Sequence, residues 1–135
     1  MRNLKPNQEN SLDFYNKVVS KKRHSETNPE LKVRMLLLHA GVETDFKSYD
    51  DQFETDRLQD LATRTLTGTE TNDLLSLYSY RAKTIKDLKI QLTTTDYNRI
   101  IGTCQYCTIG EIGTFDHIAP QSEFPTFCVH PKNLF

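Results

Sequence analysis

The side chains best suited to chemistry in this sequence are concentrated between residues 104 and 133. Cys104 and Cys107 form a Cys-x-x-Cys pair, whose thiolates match the ligands and the spacing of a structural zinc site. Asp116 and His117 follow as neighbours, and Asn133 comes sixteen residues after His117. A carboxylate suits a hard divalent cation, and an imidazole that titrates near neutral pH suits a proton acceptor. Of these residues, the cysteine pair is the more specific signal, and it favours a metal site.

The cysteine pair has more than one interpretation. A redox pair would need a helix N-terminus within a βαβ unit, and neither is visible around residues 104–107. Three cysteines in the whole chain cannot complete a disulfide framework. We therefore expect structural Zn²⁺ at Cys104 and Cys107, with incidental cysteines as the alternative. Cys128 and His130 are further soft ligands, so a four-ligand zinc site with the pair also stays open.

The Asp-His pair lies on a short stretch of β-forming residues that ends before Pro120. Neighbouring side chains on a regular strand point to opposite faces, so both can serve one site only if the backbone bends there. An Asp-His dipeptide alone is weakly specific. Its position after the Cys-x-x-Cys pair and before Asn133-Leu134 makes the whole pattern specific.

This pattern resembles the HNH endonucleases with the ββα-metal fold, in the branch that carries cysteine zinc knuckles. The matching residues are Cys104, Cys107, Asp116, His117, Ile118, Pro120, Ser122, Phe124, Pro125, Asn133 and Leu134. The resemblance covers only residues 97–135. It implies hydrolysis of DNA phosphodiester bonds, with Mg²⁺ or Mn²⁺ as the catalytic cation and Zn²⁺ in a structural role.

The resemblance also implies a role for each residue. By position, Asp116 would be a ligand of the catalytic cation, and His117 would be the general base that activates water. Asn133 would hold the loop and His117 in place, or would itself bind the metal. Phosphodiester hydrolysis needs these types, because a base must take the proton of water while a cation stabilises the charged phosphoryl group.

The chain departs from the family pattern at its C-terminus. The family normally continues after the Asn-Leu pair with a second strand, a second Cys-x-x-Cys and a helix, whereas this sequence ends at Phe135. We therefore expect a C-terminally incomplete module in which the zinc site and the catalytic metal site both lack ligands. A catalytically inactive zinc-knuckle adaptor, which binds a protein or a nucleic acid, is the alternative function.

The rest of the chain has the apolar periodicity of helices. Four are predicted, at about residues 8–23, 28–41, 48–66 and 71–92, and Gly41 is expected to cap the end of the second. Residues expected to face the core include Tyr15 and Val18 of the first helix, Leu36 and Leu37 of the second, and Leu74, Leu77 and Tyr78 of the fourth. The predicted fold class is α+β, with a mainly helical region over residues 1–95 and a partial ββα-metal module over residues 96–135. This architecture is similar to that of nuclease subunits that partner ATPases in bacterial anti-phage systems, so an ATPase is an implied partner.

The net charge of -1 conceals an uneven distribution, in which basic ends flank an acidic middle. Two basic groups are candidates for binding phosphate, although a solvated helix surface is the simpler interpretation. They are Lys17, Lys21, Lys22 and Arg23, and Arg81, Lys83, Lys86 and Lys89. The N-terminus lacks the apolar core of a signal peptide, and no run of apolar residues is long enough to span a membrane. We expect a cytoplasmic protein without a membrane partner, and the sequence leaves its oligomeric state open.

Overall fold

The structure is a computed structural model of the chain and describes residues 7–94, 97, 102–103, 109–111 and 113–135. Its α-helices are α1 (Ser11–Lys21), α2 (Leu31–Glu54), α3 (Gly68–Leu77) and α4 (Lys83–Thr93). Two short 3₁₀ helices, Leu58–Asp60 and Pro125–Phe127, interrupt the loops. None of the helices within the described ranges has the length and apolar character that crossing a membrane would require.

Helix α1 forms where the sequence predicts it. Asn10 caps its N-terminus, because the side-chain oxygen accepts hydrogen bonds from the backbone N–H groups of Leu12 and Asp13. The predicted apolar face turns inward, and both Tyr15 and Val18 are buried. Asn10 therefore sets the start of the helix, and the apolar face sets its orientation.

Helix α2 does not end at Gly41, as its sequence predicts, but continues to Glu54. No described glycine has a positive φ, so Gly41 does not form a left-handed cap. The guanidinium of Arg64 instead covers Gly41, and a Cβ there would lie 2.9 Å from Arg64 Cζ. Arg64 also donates a hydrogen bond to the Gly41 carbonyl and a pair of hydrogen bonds to Asp45. The glycine therefore allows a close approach in mid-helix instead of ending the helix.

The predicted third and fourth helices are also divided differently. Most of residues 48–66 belongs either to the end of α2 or to loop, and the next helix is α3. A capping box starts α3, because Thr67 accepts from the Glu70 N–H while the Glu70 carboxylate accepts from the Thr67 N–H. Between α3 and α4 the backbone leaves the helical conformation at Tyr78. This break turns the chain and gives Tyr78 a position that a continuous helix would not provide.

A buried polar contact fixes α3 against α2. The Asp73 carboxylate accepts a 2.5 Å hydrogen bond from Arg34 Nε and a 2.7 Å bond from the Asn28 amide. Asp73 itself is only 2% exposed. Its hydrogen bond with Arg34 is the main reason that the pKa of this carboxyl group lies below its usual value. Helix α3 is therefore held in a defined position, and the candidate site described below depends on that position.

The predicted α+β fold class, with its partial ββα-metal module, is wrong for the part of the chain that the structure describes. There we find helices and two isolated β-bridges, Thr103 with Glu111 and His117 with Leu134, but no strand or sheet. The reason lies in residues 120–133. Pro120 and Pro125 have no N–H to donate to a ladder. Tight turns, such as the one that joins the Phe124 N–H to the Pro120 carbonyl, use the backbone groups that a longer strand would need.

Residues 113–135, which we call the C-terminal segment, pack into the same hydrophobic core as the helices. The buried core residues of the helices are Phe14, Tyr15, Val18, Leu31, Met35, Val42, Phe46, Tyr49, Leu74, Leu77, Ile85 and Leu88. The segment adds Phe115, Ala119, Phe127, Cys128, Val129 and Leu134 to this cluster. Apolar burial on both sides of the interface therefore holds the candidate site residues against the helices.

Candidate functional site

Asp116 and His117 lie on a short antiparallel pairing between two parts of the C-terminal segment. The Asp116 N–H donates to the Phe135 carbonyl at 3.0 Å, and the Phe135 N–H donates back at 3.2 Å. The Ile118 N–H donates to the Asn133 carbonyl at 3.1 Å. Three backbone hydrogen bonds thus fix the chain on both sides of His117 without a regular strand.

One ring nitrogen of His117 is hydrogen-bonded to the protein backbone. Its Nε2 lies 3.0 Å from the backbone carbonyl oxygen of Cys128. A carbonyl oxygen only accepts hydrogen bonds, so Nε2 must be the protonated nitrogen of this pair. In the neutral ring the lone pair is then on Nδ1. The side chain is half-buried, and this arrangement is the one required of a general base with a fixed tautomer.

Asn133 closes the loop that follows His117 and contains Cys128. Its side-chain oxygen accepts hydrogen bonds from the Tyr49 hydroxyl at 3.1 Å and from the Ala119 N–H at 2.7 Å. Its side-chain nitrogen donates to the Ala119 carbonyl at 3.1 Å and to the Phe127 carbonyl at 3.0 Å. All four hydrogen-bonding positions of the amide are filled, and the residue is completely buried. Of its two implied roles, this geometry favours holding the loop over binding a metal.

Asp116 is the exposed member of the predicted site. Its backbone is paired with Phe135, while the residue as a whole is exposed. Carboxylate oxygens are the ligands that Mg²⁺ and Mn²⁺ prefer, so Asp116 fits one ligand position of a hard cation. Within the described ranges, however, no three His, Cys, Asp or Glu side chains are grouped so that they could hold a metal ion. The described residues therefore fit a single ligand, not a complete metal site.

The predicted zinc ligands Cys104 and Cys107 lie outside the described residues. The two further candidates have other partners. The Cys128 thiol donates to the Leu74 carbonyl, and burial raises the pKa of this thiol to about 12. His130 accepts a hydrogen bond at Nδ1 from the Lys132 N–H. Zinc binds a thiolate, so the pKa of Cys128 disfavours it as a ligand.

His130 is enclosed by aromatic rings and is completely buried. The ring centroids of Tyr49 and Phe46 lie 4.2 and 4.5 Å from its own. Burial is the main cause that lowers the pKa of His130 to about 3, and the nearby Lys132 ammonium acts in the same direction. Asp50 Oδ1 lies 3.6 Å from Nε2 and also contacts Lys132. His130 is therefore a neutral part of the core at physiological pH.

Tyr78 contacts His117, and no local pattern of the sequence predicts this contact. The Tyr78 ring packs edge-on against the imidazole, with ring centroids 4.9 Å apart and an interplanar angle of 76°. Apolar periodicity assigned Tyr78 to the buried stripe of one long helix. A single sequence contains no local signal that joins it to a residue 39 positions later.

Positive charge lies at the same end of α3. The Lys22 ammonium donates a hydrogen bond to the Ser76 carbonyl, two residues before Tyr78. Arg81 follows three residues after Tyr78, is exposed, and places its guanidinium 5.6 Å from the centre of the Tyr80 ring. One member of each predicted basic group thus lies near the C-terminal end of α3. Lys17 and Lys83 instead form ion pairs with Glu9 and Asp87.

Comparisons with protein-family models, with curated protein sequences and with solved structures find no match to this chain.

Proposed function

We propose that this protein is an endonuclease that hydrolyses DNA phosphodiester bonds, with His117 as the general base. The proposal combines the resemblance of residues 97–135 to HNH endonucleases with one geometric observation. His117 Nε2 donates to the Cys128 carbonyl, which leaves Nδ1 as the basic nitrogen of a half-buried ring. A base fixed in this way can take a proton from an attacking water molecule without first changing its tautomer.

Asn133 supports this function indirectly. Because its amide holds both Ala119 and Phe127, it fixes the loop that places the Cys128 carbonyl under His117. The benefit is preorganisation, since a general base acts only from a defined distance and angle.

Asp116 would hold a divalent cation next to the base in this proposal. Mg²⁺ or Mn²⁺ bound there would stabilise the negative charge that develops on the phosphoryl oxygens. Further ligands would have to come from outside the described residues or from the substrate, because the described residues provide no group of three. We therefore expect cleavage to require added cation and to stop with a chelator.

The positive charge around α3 favours a phosphate-bearing substrate. Lys22 and Arg81 lie near the same end of α3 as Tyr78, which contacts His117. Cations placed along a phosphate backbone supply most of the non-specific affinity of DNA-binding proteins, and this affinity falls with added salt. Cleavage should therefore weaken as the salt concentration rises.

The test is nicking of supercoiled plasmid by the purified 135-residue chain in Mg²⁺ or Mn²⁺, with EDTA as the blank. His117→Ala and His117→Gln should each lower the rate by roughly 100-fold or more, the usual contribution of a general base. The Gln variant can still donate to the Cys128 carbonyl, so its loss of activity cannot be attributed to that hydrogen bond. His24→Ala, an exposed loop histidine, is the matched control and should cleave normally.

Two outcomes contradict the proposal. One is unchanged nicking by a folded His117→Gln variant. The other is absence of cleavage by the folded wild-type chain with either cation, which would favour the inactive adaptor. Circular dichroism melting of each variant separates loss of activity from loss of folding.

A further inference from the structure

The hydroxyl of Tyr78 holds the backbone just before His117. The Phe115 N–H donates to this oxygen at 3.3 Å. The oxygen also lies 3.0 Å from Thr114 Oγ1 and 3.4 Å from the Phe115 carbonyl. A phenol has one proton to donate, so it serves one of these two acceptors while it accepts from the backbone. Tyr78 thereby ties residues 114 and 115 to the end of α3.

The ring of Tyr78 acts on the imidazole itself. The edge-on contact with His117 is of the kind that aromatic pairs prefer, and it restricts the rotation of the ring. Together with the hydrogen bond from Nε2 to the Cys128 carbonyl, it holds the imidazole from two directions. A rotated imidazole would lose both contacts.

The C-terminal end of α3 also holds Cys128, whose carbonyl accepts the hydrogen bond from His117. The Cys128 thiol donates to the Leu74 carbonyl at 2.8 Å, and the carbonyl of that same cysteine accepts from His117. Leu74 and Tyr78 are four residues apart, about one helical turn. The C-terminal end of α3 therefore contacts His117 indirectly through Cys128, and Tyr78, the residue after the helix, contacts it directly.

We propose that Tyr78 is a positioning residue for His117. It keeps the imidazole in the tautomer with Nε2 protonated and fixes the direction of Nδ1. This inference rests on the proposed function, and it assigns part of the site to the helical region, outside the residues that resemble the HNH family. Tyr78 does not exchange a proton with substrate; it acts only through His117.

The experiment compares Tyr78→Phe, which keeps the ring, with Tyr78→Leu, which removes ring and hydroxyl. Tyr80→Phe is the matched control, since that tyrosine is half exposed and its hydroxyl contacts only the neighbouring Arg81 among the contacts described. The first readout is the tautomer of neutral His117, from long-range ¹H–¹⁵N NMR correlations assigned with His117→Gln. The second is kcat and KM for plasmid or oligonucleotide cleavage.

We expect wild type and Tyr80→Phe to show His117 protonated at Nε2. Tyr78→Leu should populate the other tautomer and lower kcat by roughly 100-fold, the scale of a misplacement of about 1 Å. Tyr78→Phe should keep most of the tautomer preference and lower kcat by roughly tenfold, since only the backbone tether is lost. KM should stay within about twofold in both, because neither change removes a substrate contact.

The proposal is overturned if the His117 tautomer in Tyr78→Leu equals that of wild type. It is equally overturned if kcat falls only in proportion to the unfolded fraction, because Tyr78 would then be structural alone. Failure of the proposed function looks different. In that case the wild-type chain does not cleave, while the NMR comparison still reports whether Tyr78 positions His117.

Discussion

His117 and His130 both lie in the C-terminal segment, but their side chains have opposite environments. His117 is half-buried, and one ring nitrogen is bonded to a backbone carbonyl. His130 lies among Phe46 and Tyr49 with no solvent exposure, and burial lowers its pKa to about 3. The first is a partly accessible imidazole held by a backbone carbonyl, whereas the second is a core side chain enclosed by aromatic rings.

The same division applies to the whole C-terminal segment. Residues 113–123 are mostly exposed, with Phe115 and Ala119 as buried anchors, whereas every residue from 125 to 131 is buried. The exposed half carries Asp116 and His117, and the buried half carries the carbonyl that orients His117. Residue type alone therefore does not identify a candidate catalytic group, because an accessible side chain needs a rigid neighbour to hold it.

The largest expected effect on stability comes from the buried half. Asn133→Ala removes four hydrogen bonds and leaves backbone groups unsatisfied in the core. We expect the free energy of unfolding to fall by about 3–5 kcal/mol. Asp116→Ala, in the exposed half, should change it by less than about 0.5 kcal/mol. Urea unfolding followed by circular dichroism measures both, and similar losses for the two variants would show that the two halves do not differ as described.

The sequence predicts those features of the fold and of the candidate site that depend on local patterns of residues. Apolar periodicity correctly placed Tyr15 and Val18 of α1, and Leu74 and Leu77 of α3, in the core. Motif spacing selected Asn133, whose amide proves to have every hydrogen-bonding position filled. In each case the evidence lies within a few residues, or within a pattern of known spacing.

Contacts between distant residues were not predictable in this way. A glycine often ends a helix, so the local sequence predicts a helix end at Gly41. The contact that explains this glycine is with Arg64, which lies 23 residues later in the chain. Leu36 and Leu37, expected in the core because of their hydrophobicity, are 75% and 78% exposed, since Leu31 and Met35 already face the core. The environment of His130 depends on aromatic residues of α2 more than 80 positions earlier. Such contacts arise only when the helices pack.

The next largest effect is expected at acid pH, where His130 should make the free energy of unfolding depend on pH. The folded-state pKa of about 3 lies below the ordinary histidine value of 6.5, so between these values the unfolded chain binds a proton that the folded chain does not. The stability that neutral His130 contributes is therefore fully present above pH 6.5. This contribution falls as the pH drops towards 3, with a slope that approaches about 1.4 kcal/mol per pH unit. His130→Gln should lose this slope, whereas His24→Gln should keep it. Urea unfolding between pH 7.5 and 4.5 is the measurement, and parallel curves for wild type and His130→Gln would refute the burial argument.

The smallest expected effect is at Cys128, whose thiol should not react with alkylating reagents in the native protein. Thiol reagents attack through the thiolate, and a pKa of about 12 together with complete burial leaves almost none of it at pH 8. Brief treatment of the native protein with an alkylating reagent, followed by mass spectrometry of its peptides, should find Cys128 unmodified. The same treatment in urea should modify it as fast as Cys104 and Cys107, which serve as internal controls. Rapid modification of Cys128 in the native protein would mean that the buried half opens readily, and the carbonyl bonded to His117 would then be too mobile to fix its tautomer.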